Sequence, residues 1–507
     1  MGVGVNTTPP SCGRTWFPCY DRPCDKATVD LTATVPLDKT VVANGLLASV
    51  DSSGANHTWH WSHDFPTSTY LIAMSVAPYR VLSDSVVTDP RIKVYFHTGY
   101  RLKATVSFQY VDLMMEAFEA KFGTYPFDKF AYMTTLRGDM EHQTCVSHLL
   151  ALVDSTNNND DILSHEMCHM WYGDCVTYGD WRDVWLSEGF ATYGEAVYRE
   201  YKDGPAAYHN YVTTQFLNRV IASGASGNDG VYDPSYLWGV VAYEKGASVL
   251  HMLRGVLDND TLFFQALRDY RNAHLYGNAV TPDFIADVET TVGQDLSWFF
   301  DPWVYGDGHP VYQYGWSWDA LGGGQWKVDV VIRQTQTTPT LFDMPLDFRV
   351  QTGSRQLRLL AAHQPGRADR VVRGAGAAHG ARHRPERLGP RRAAPRAHAS
   401  VDYGPQAASR GGPGARDAAP EPVQGPCGDP LLPAAGRARR RRRARCRRST
   451  GAIALRRGGG GGHAVDLVGP PRRCGQPCRR RCVLGATGSA GRAAGAESRG
   501  GGLECRS

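Results

Sequence analysis

The chain has 507 residues, and its net charge of +5 averages two very different parts. Residues 1–354 carry 23 Lys and Arg against 41 Asp and Glu, whereas residues 355–507 carry 32 Arg, no Lys and 9 acidic residues. A chain of this length can bury the cores of several domains, and no apolar run reaches the roughly eighteen residues of a membrane span.

The first part of the chain alternates apolar and polar residues, in segments such as TVDLTATVP and STYLIAMSVAPY. Gly, Pro and Asn separate these segments, which is typical of strands joined by turns. We predict an incomplete N-terminal β domain over residues 1–78. A strand would turn the middle one of three histidines away from its neighbours, so we expect no shared metal among His57, His60 and His63.

Helical spacing of apolar residues begins at Lys103 and stops at Gly123, and a short strand is predicted at Lys129–Leu136. We predict a mostly α domain with a small sheet over residues 79–308, followed by the start of a β-sandwich-like domain over residues 309–354. Further helices are predicted at about Asp160–Tyr172, Glu188–Asp203, Tyr243–Leu257, Asp260–Ala273 and Pro282–Thr291.

Residues 355–507 are rich in Arg, Gly, Ala and Pro and contain no Phe, Trp or Met. So few large apolar side chains cannot offset the conformational entropy of folding, and we expect this tail to be disordered. The abrupt change of composition also fits translation of a GC-rich gene in a shifted frame. Arg-rich segments bind nucleic acids in other proteins, but composition alone is unspecific, so no nucleic-acid partner is expected.

The segment ILSHEMCHMW contains the pattern His-Glu-x-x-His. Residues four apart lie on one face of a helix, so His165 and His169 can bind one metal ion while Glu166 reaches a water beside it. Glu188 follows after eighteen intervening residues and can supply a third ligand, which leaves the fourth position open, as in catalytic zinc sites. Glu188 is equally explained as an ordinary carboxylate at a helix N-terminus.

A strand leads into the segment Gly138-Asp139-Met140-Glu141-His142. A carboxylate beside a zinc site can pair with a cationic group of a substrate, and a free α-amine is the obvious candidate. This short segment would carry no functional meaning by itself.

Together these segments resemble the zinc aminopeptidase family of aminopeptidase N, gluzincin metallopeptidases that also include the leukotriene hydrolases. The resemblance also covers WFPCYDRPCDKAT, TYLIAMSVAPY, HEMCHMWYGD, WLSEGF and YEKGASVLHML. It implies an α+β multidomain protein with a partial N-terminal β domain and a thermolysin-like catalytic domain. The start of a C-terminal β domain and the tail would follow.

The same resemblance implies one Zn²⁺ and a zinc-dependent aminopeptidase that acts on peptides with a free N-terminus. Glu166 would be the general base, Glu141 would bind the substrate amine, and Tyr243 would hydrogen-bond the oxyanion. Without the resemblance, Tyr243 would be interpreted as a packed helical aromatic. The remaining implied roles are substrate lining by Gly138, Asp139 and Met140, and zinc ligation by His165, His169 and Glu188.

Several features leave alternatives open. The family usually has Asn where this chain has His142, and Cys168 occupies a variable position on the zinc helix, where we expect it to pack inward. The N-terminal domain is short for the family, so the sequence looks truncated at the front and altered at the back. A non-productive fragment, a zinc endopeptidase and an epoxide hydrolase therefore remain alternatives. We expect a soluble protein with no secretory signal; compartment and oligomeric state stay open.

Overall fold

The computed structural model describes residues 3–5, 13–82, 84–322, 325–351, 356–363, 374–377 and 481–487. Within these ranges, no helix combines the length and the apolar character needed to cross a lipid bilayer.

Seven strands form the N-terminal part of the chain: β1 (Val3–Val5), β2 (Lys26–Pro36), β3 (Thr40–Ala43), β4 (Leu46–Ser53), β5 (Asn56–Ser68), β6 (Met74–Ala77) and β7 (Tyr79–Val81). Strand β5 pairs antiparallel with both β2 and β4, and β6 lies between β1 and β3. Alternate residues of β2 are buried, which is why the period of two in the sequence predicted a half-buried strand. The predicted β domain is confirmed.

The three histidines of β5 have separate environments. His57 contacts Ser52, and His60 contacts Thr32 and Asp51. His63 is buried and lies beside Gln143. In the described part of the chain, none of the three belongs to a group of side chains that could share a metal ion.

Two small sheets, of which β11 and β12 form one, and ten α-helices make up the described residues of the next part. Its strands are β8 (Ile92–His97), β9 (Phe130–Thr135), β10 (Val146–Leu149), β11 (Thr177–Tyr178) and β12 (Asn278–Ala279). Its helices are α1 (Arg101–Ser107), α2 (Val111–Phe122), α3 (Asp160–Cys168), α4 (Trp185–Asp203), α5 (Pro205–Tyr211), α6 (Asn218–Ala222), α7 (Gly246–Leu257), α8 (Asp260–Ala273), α9 (Thr281–Val292) and α10 (Ser297–Phe300). Three π-helical turns cover Val212–Leu217, Val241–Lys245 and Asp301–Tyr305.

Strand β9 is central in the order β10-β9-β8-β7 and runs parallel to both β8 and β10. All six of its residues are buried, as expected for a strand covered on both faces. The chain leaves β9 at the surface, passes through Glu141 and returns to β10. The two strands therefore fix where this loop begins and ends.

Helices α4 and α7 approach each other closely through two glycines. A Cβ atom on Gly189 would lie 3.0 Å from the Cα of Gly246, and one on Gly246 would lie 3.0 Å from the Cα of Gly189. Since Glu188 precedes the first glycine and Tyr243 lies just before the second, this contact brings both side chains to one place.

The C-terminal strands are β13 (Tyr312–Gly322), β14 (Gln325–Gln334), β15 (Met344–Gln351), β16 (Gln356–His363), β17 (Gly374–Ala377) and β18 (Arg481–Thr487). Strands β13 and β14 form one antiparallel hairpin and β15 and β16 another, while β18 pairs parallel with β2. The second hairpin continues past residue 354, the predicted end of the β segment. Strands β16, β17 and β18 lie inside the predicted tail, and its other residues lie outside the described part of the chain.

Candidate active site

Helix α3 carries the two histidines of the predicted metal site on one face. Asp160 and Asp161 lie in its first turn, where carboxylates stabilise the positive end of the helix dipole. His165 lies in the last turn of the helix, and His169 caps its C-terminal end. Their Nε2 atoms lie 3.1 Å apart, as the four-residue spacing predicts.

Glu188, from the first turn of α4, completes a triangle with these two nitrogens. Its Oε2 atom lies 3.2 Å from Nε2 of His165 and 3.4 Å from Nε2 of His169. Zinc ligands at 2.0–2.1 Å in tetrahedral geometry lie about 3.3–3.4 Å from one another, so the three atoms fit one zinc ion. Burial raises the pKa of Glu188, but the imidazoles of His169 and His165 outweigh it and lower the pKa to about 2.

The outward nitrogen of each imidazole is also hydrogen-bonded. Nδ1 of His165 lies 2.8 Å from Oε1 of Glu195, and Nδ1 of His169 lies 2.9 Å from Oγ of Ser187. Such partners orient metal-binding histidines in known metal sites. Gly173 leaves room for the second contact: it has φ of +133°, and a Cβ there would lie 2.5 Å from Oγ of Ser187.

Sequence reasoning missed both orienting residues, although each carried a signal. Glu195 follows Glu188 by seven residues, which places both on the same face of α4. Ser187 is the neighbour of Glu188 in the chain. A search for hydrogen-bond acceptors around a predicted pair of zinc-binding histidines would have found both.

Glu166 lies on the same helix, and it is buried beside the triangle. Its Oε2 atom has no hydrogen-bond partner among the described residues. Burial raises the pKa of Glu166 well above its ordinary value, and Glu141 and Asp139 raise it further, against the opposing effect of His165. A buried carboxylate with a free oxygen and a raised pKa can accept a proton near neutral pH.

Glu141 is brought to the other side of the same space. One of its oxygens lies within 4.8 Å of ligand atoms of Glu166 and His169. The hydroxyl of Tyr70 donates a hydrogen bond of 3.4 Å to Oε1 of Glu141. Burial raises the pKa of Glu141, and Glu188 adds to this while His169 opposes it. A cationic group beside this carboxylate would therefore stabilise its charged form.

The three residues before Glu141 are placed differently from one another. Gly138 is exposed. Oδ1 of Asp139 lies 2.6 Å from Nδ1 of His148 and accepts the N–H of Leu149 at 3.1 Å. The backbone of Met140 pairs with that of Ser147 through both its N–H and its C=O. A substrate cannot use these two groups of Met140 while this pairing persists.

Two residues that depart from the family pattern are fully buried. His142 lies 3.1 Å from Oγ of Ser147, and burial lowers its pKa to about 3, so it is neutral at physiological pH. The thiol of Cys168 is directed at the carbonyl of Phe190, 3.6 Å away, so it packs inward as expected.

Tyr243 lies in the π-helical turn before α7. Its ring stacks on that of His165, with centroids 5.9 Å apart and planes 9° apart. Burial raises the pKa of the phenol well above 10, and the carboxylates of Glu188 and Glu141 raise it further. The hydroxyl therefore stays protonated and can donate a hydrogen bond. A cavity of about 530 Å³ opens beside it and is lined by Thr192, Glu195, Gln215, Phe216, Trp238 and Glu244, among others.

Comparison with known families gives two matches along the chain. The model of the peptidase family M1 domain matches residues 102–303, and that of the peptidase M1 N-terminal domain matches residues 7–71. The first match includes every residue placed around the triangle except Tyr70, which falls in the second.

Similar proteins have consistent descriptions. Aminopeptidase M1 of Arabidopsis thaliana is 27% identical over 344 residues, which are 61% of this chain and 37% of that protein. Aminopeptidase N of Oryctolagus cuniculus is 28% identical over 338 residues, 58% of this chain and 34% of that protein. This chain thus spans little more than a third of the length of these relatives.

Among solved structures, a mutant M1 zinc metallopeptidase of Deinococcus radiodurans bound to a Tyr-Ser-Ala substrate is similar, with a TM-score of 0.53 and 25% identity. The similarity covers 61% of this chain and 71% of that one.

Proposed function

Since the chain belongs to the zinc aminopeptidase family of aminopeptidase N, we propose that it hydrolyses the N-terminal peptide bond of peptides that have a free amino terminus. One observation carries the proposal: the buried carboxylate of Glu141 lies within 4.8 Å of ligand atoms of Glu166 and His169. A buried carboxylate at that position favours substrates that bring a positive charge.

The cofactor of the family is one Zn²⁺. We assign its three protein ligands to His165, His169 and Glu188, whose donor atoms have the mutual spacing of a tetrahedral site. When bound, zinc lowers the pKa of a water molecule and polarises the carbonyl of the bond to be cleaved.

The protein's own residues move the proton and stabilise charge. Oε2 of Glu166, which has no other described partner, takes the proton of the attacking water and passes it to the leaving amine. The Tyr243 hydroxyl donates a hydrogen bond to the oxygen on which negative charge develops. A positioned donor of this kind contributes about 3–4 kcal/mol to stabilisation of the transition state.

Glu141 accounts for the requirement for an amino terminus. A substrate ammonium group compensates the buried carboxylate, whereas an acetylated or internal amide carries no charge and leaves it unpaired. Gly138 and Asp139 line the path of the substrate beside it. Met140 also lines this path, but its backbone N–H and C=O bond to Ser147 and do not bind the substrate.

Glu141→Gln tests this assignment. We expect kcat/KM for an aminoacyl amide with a free amine to fall by about a hundredfold, the cost of losing one member of a buried charge pair. Cleavage of the N-acetylated substrate, slow in the wild type, should change little, and the zinc content should stay the same. Glu119→Gln is the control, because Glu119, on α2, is a partly buried carboxylate that pairs with Arg91 and takes no part in the site.

The rival functions give different results in the same assays. An endopeptidase would cleave N-acetylated internal peptides as fast as free ones, and an equal effect of Glu141→Gln on both would contradict an amine anchor. A non-productive fragment would bind zinc without hydrolysing either substrate. An Arg-rich tail that binds DNA would give salt-dependent binding that is lost on deletion of residues 355–507.

A further inference from the structure

The turn after β3 reaches into the catalytic part of the chain. Its first residue, Asn44, is 2% exposed, and its side-chain amide is fully engaged. Nδ2 donates to the carbonyl of Leu71 at 3.0 Å and to the carbonyl of Gln143 at 2.6 Å. Oδ1 accepts the N–H of Ala73 at 2.7 Å. One buried side chain thus joins three backbone groups from two distant segments.

Both segments touch Glu141. Gln143 follows it by two residues, in the loop that returns to β10. Leu71 follows Tyr70, whose hydroxyl bonds to Oε1 of Glu141. The amide of Asn44 therefore connects the loop that carries this carboxylate to the segment that carries its hydrogen-bond donor.

The loop beyond Glu141 is strained and is held by the same turn. Thr144 has φ of +62°, a left-handed conformation that is unfavourable for a β-branched residue. Its hydroxyl accepts the N–H of Gly45, the residue after Asn44, at 2.9 Å. The side-chain amide of Gln143 contacts His63 and Thr67, each at 2.8 Å. Strain of this kind persists only where surrounding contacts compensate for it.

Burial of the carboxylate makes such a support necessary. Glu141 is 6% exposed, and no salt bridge to Lys or Arg compensates its charge among the described residues, so keeping it away from water is costly. An unsupported loop would relax by moving Glu141 toward water. Contacts that hold the loop from the other side oppose that movement.

We propose that Asn44 is a positioning residue that holds Glu141 where it binds the substrate amine. This inference rests on the proposed function, because it takes Glu141 as the amine anchor. Asn44 touches no substrate, and its effect reaches the site through the carbonyl of Gln143 and the segment of Tyr70.

The test measures binding without turnover. In zinc-loaded protein with Glu166→Gln, calorimetry gives the Kd of the tripeptide Tyr-Ser-Ala and of its N-acetylated form. We expect the free tripeptide to bind more tightly. Adding Asn44→Ala should reduce that preference at least tenfold, mainly by weakening the free form. Asn44→Asp retains the acceptor for Ala73 but loses both donors, so it should reduce the preference as well.

Asn278→Ala is the matched control. Nδ2 of Asn278 also bridges distant segments, since it donates to the carbonyls of Pro23, Thr177 and Tyr178, but none of these lies in the loop of Glu141. We expect it to lower the melting temperature without changing the preference for the free amine. A general loss of stability would therefore affect both variants, and a positioning role affects only the variants of Asn44.

Three results would overturn the proposal. The preference for the free amine could survive in Asn44→Ala, or it could fall equally in Asn278→Ala. In both cases only the positioning role of Asn44 fails, and Glu141 could still be the anchor. If the parent protein shows no preference for the free amine, Glu141 is no amine anchor, and the proposed function fails together with the inference.

Discussion

Replacing Glu195 by Gln tests how strongly a residue that does not touch the metal contributes to zinc affinity. Oε1 of Glu195 lies 2.8 Å from Nδ1 of His165, and both side chains are largely buried. The hydroxyl of Tyr211 donates to the other oxygen of Glu195 at 2.5 Å. The carboxylate therefore holds the imidazole in the orientation that directs Nε2 toward Glu188.

The magnitude follows from what each substitution removes. Loss of an orienting partner weakens metal binding by about 10–100-fold, or about 1.4–2.7 kcal/mol. Gln keeps the shape, and its one oxygen can still accept the Nδ1–H of His165. The charge and the acceptor for the Tyr211 hydroxyl are lost, and we expect a rise in zinc Kd of about tenfold. Glu195→Ala also removes the hydrogen bond to His165, and a rise in zinc Kd of about a hundredfold is expected.

The assay is competition for zinc with a chromogenic chelator at neutral pH. Glu200→Gln is the control: Glu200 lies on the same helix and its Oε2 atom pairs with Arg254 at 2.9 Å, away from the histidines. Its zinc Kd should match that of the wild type. Equal zinc affinity in the wild type and in Glu195→Ala would refute the reasoning, because the imidazole would then need no outer support.

Three further predictions each concern the surroundings of one residue. Tyr243→Phe should lower kcat by about a hundred- to a thousandfold at constant zinc content; a change confined to KM in steady-state kinetics would argue against an oxyanion donor. A Cβ on Gly194 would lie 2.5 Å from Sγ of Cys168. Gly194→Ala should therefore separate α4 from α3 and lower both the melting temperature and the zinc content. Adding Cys168→Gly should restore part of the loss. Burial, with His209 and Arg254, lowers the pKa of His251 from 6.5 to about 3. The unfolded chain therefore binds the extra proton first, and the free energy of unfolding falls as pH drops from 6.5 toward 3. Urea unfolding at several pH values should show a shallower fall in His251→Gln. The same dependence on pH as in the wild type would contradict this.

Local patterns predicted the longer helices between residues 79 and 308, but they missed α5, α6, α10 and the break between α1 and α2. Helix α2 ends at Phe122, and Gly123 follows with φ of +87°, as the stop signal indicated. Helix α8 has the predicted bounds. Helix α4 begins at Trp185, three residues before the predicted start, and α3 ends at Cys168 rather than near Tyr172. Apolar spacing does not reveal where backbone hydrogen bonds begin and end.

The arrangement around Tyr243 shows a second limit. The N–H of Lys245 bonds to the carbonyl of Val240, five residues back, so the predicted regular helix begins with a π-helical turn. Apolar periodicity cannot distinguish such a turn from an α-helix. The family resemblance nevertheless implied a role for this tyrosine as the oxyanion donor, which stays a prediction, and the structure brings its ring against His165.

Long-range contacts were beyond sequence reasoning altogether. Asn44 and Gln143 are separated by 99 positions, and nothing in an Asn-Gly turn indicates which distant carbonyl it will meet. The contact of Tyr70 with Glu141 spans 71 positions. The sequence therefore indicated the side chains to which we assign the chemistry, whereas the contacts of Asn44 and Tyr70 with the loop of Glu141 became apparent only in the folded chain.

The contact between Gly189 and Gly246 limits how this protein can be altered. Where two helices meet through their backbones, no side chain is available to be trimmed or enlarged, so repacking of the surrounding core cannot adjust their separation. Attempts to widen the catalytic centre for bulkier substrates should therefore succeed through the lining of the neighbouring cavity. Changes at the crossing of the two helices would alter the spacing between Glu188 and Tyr243 instead.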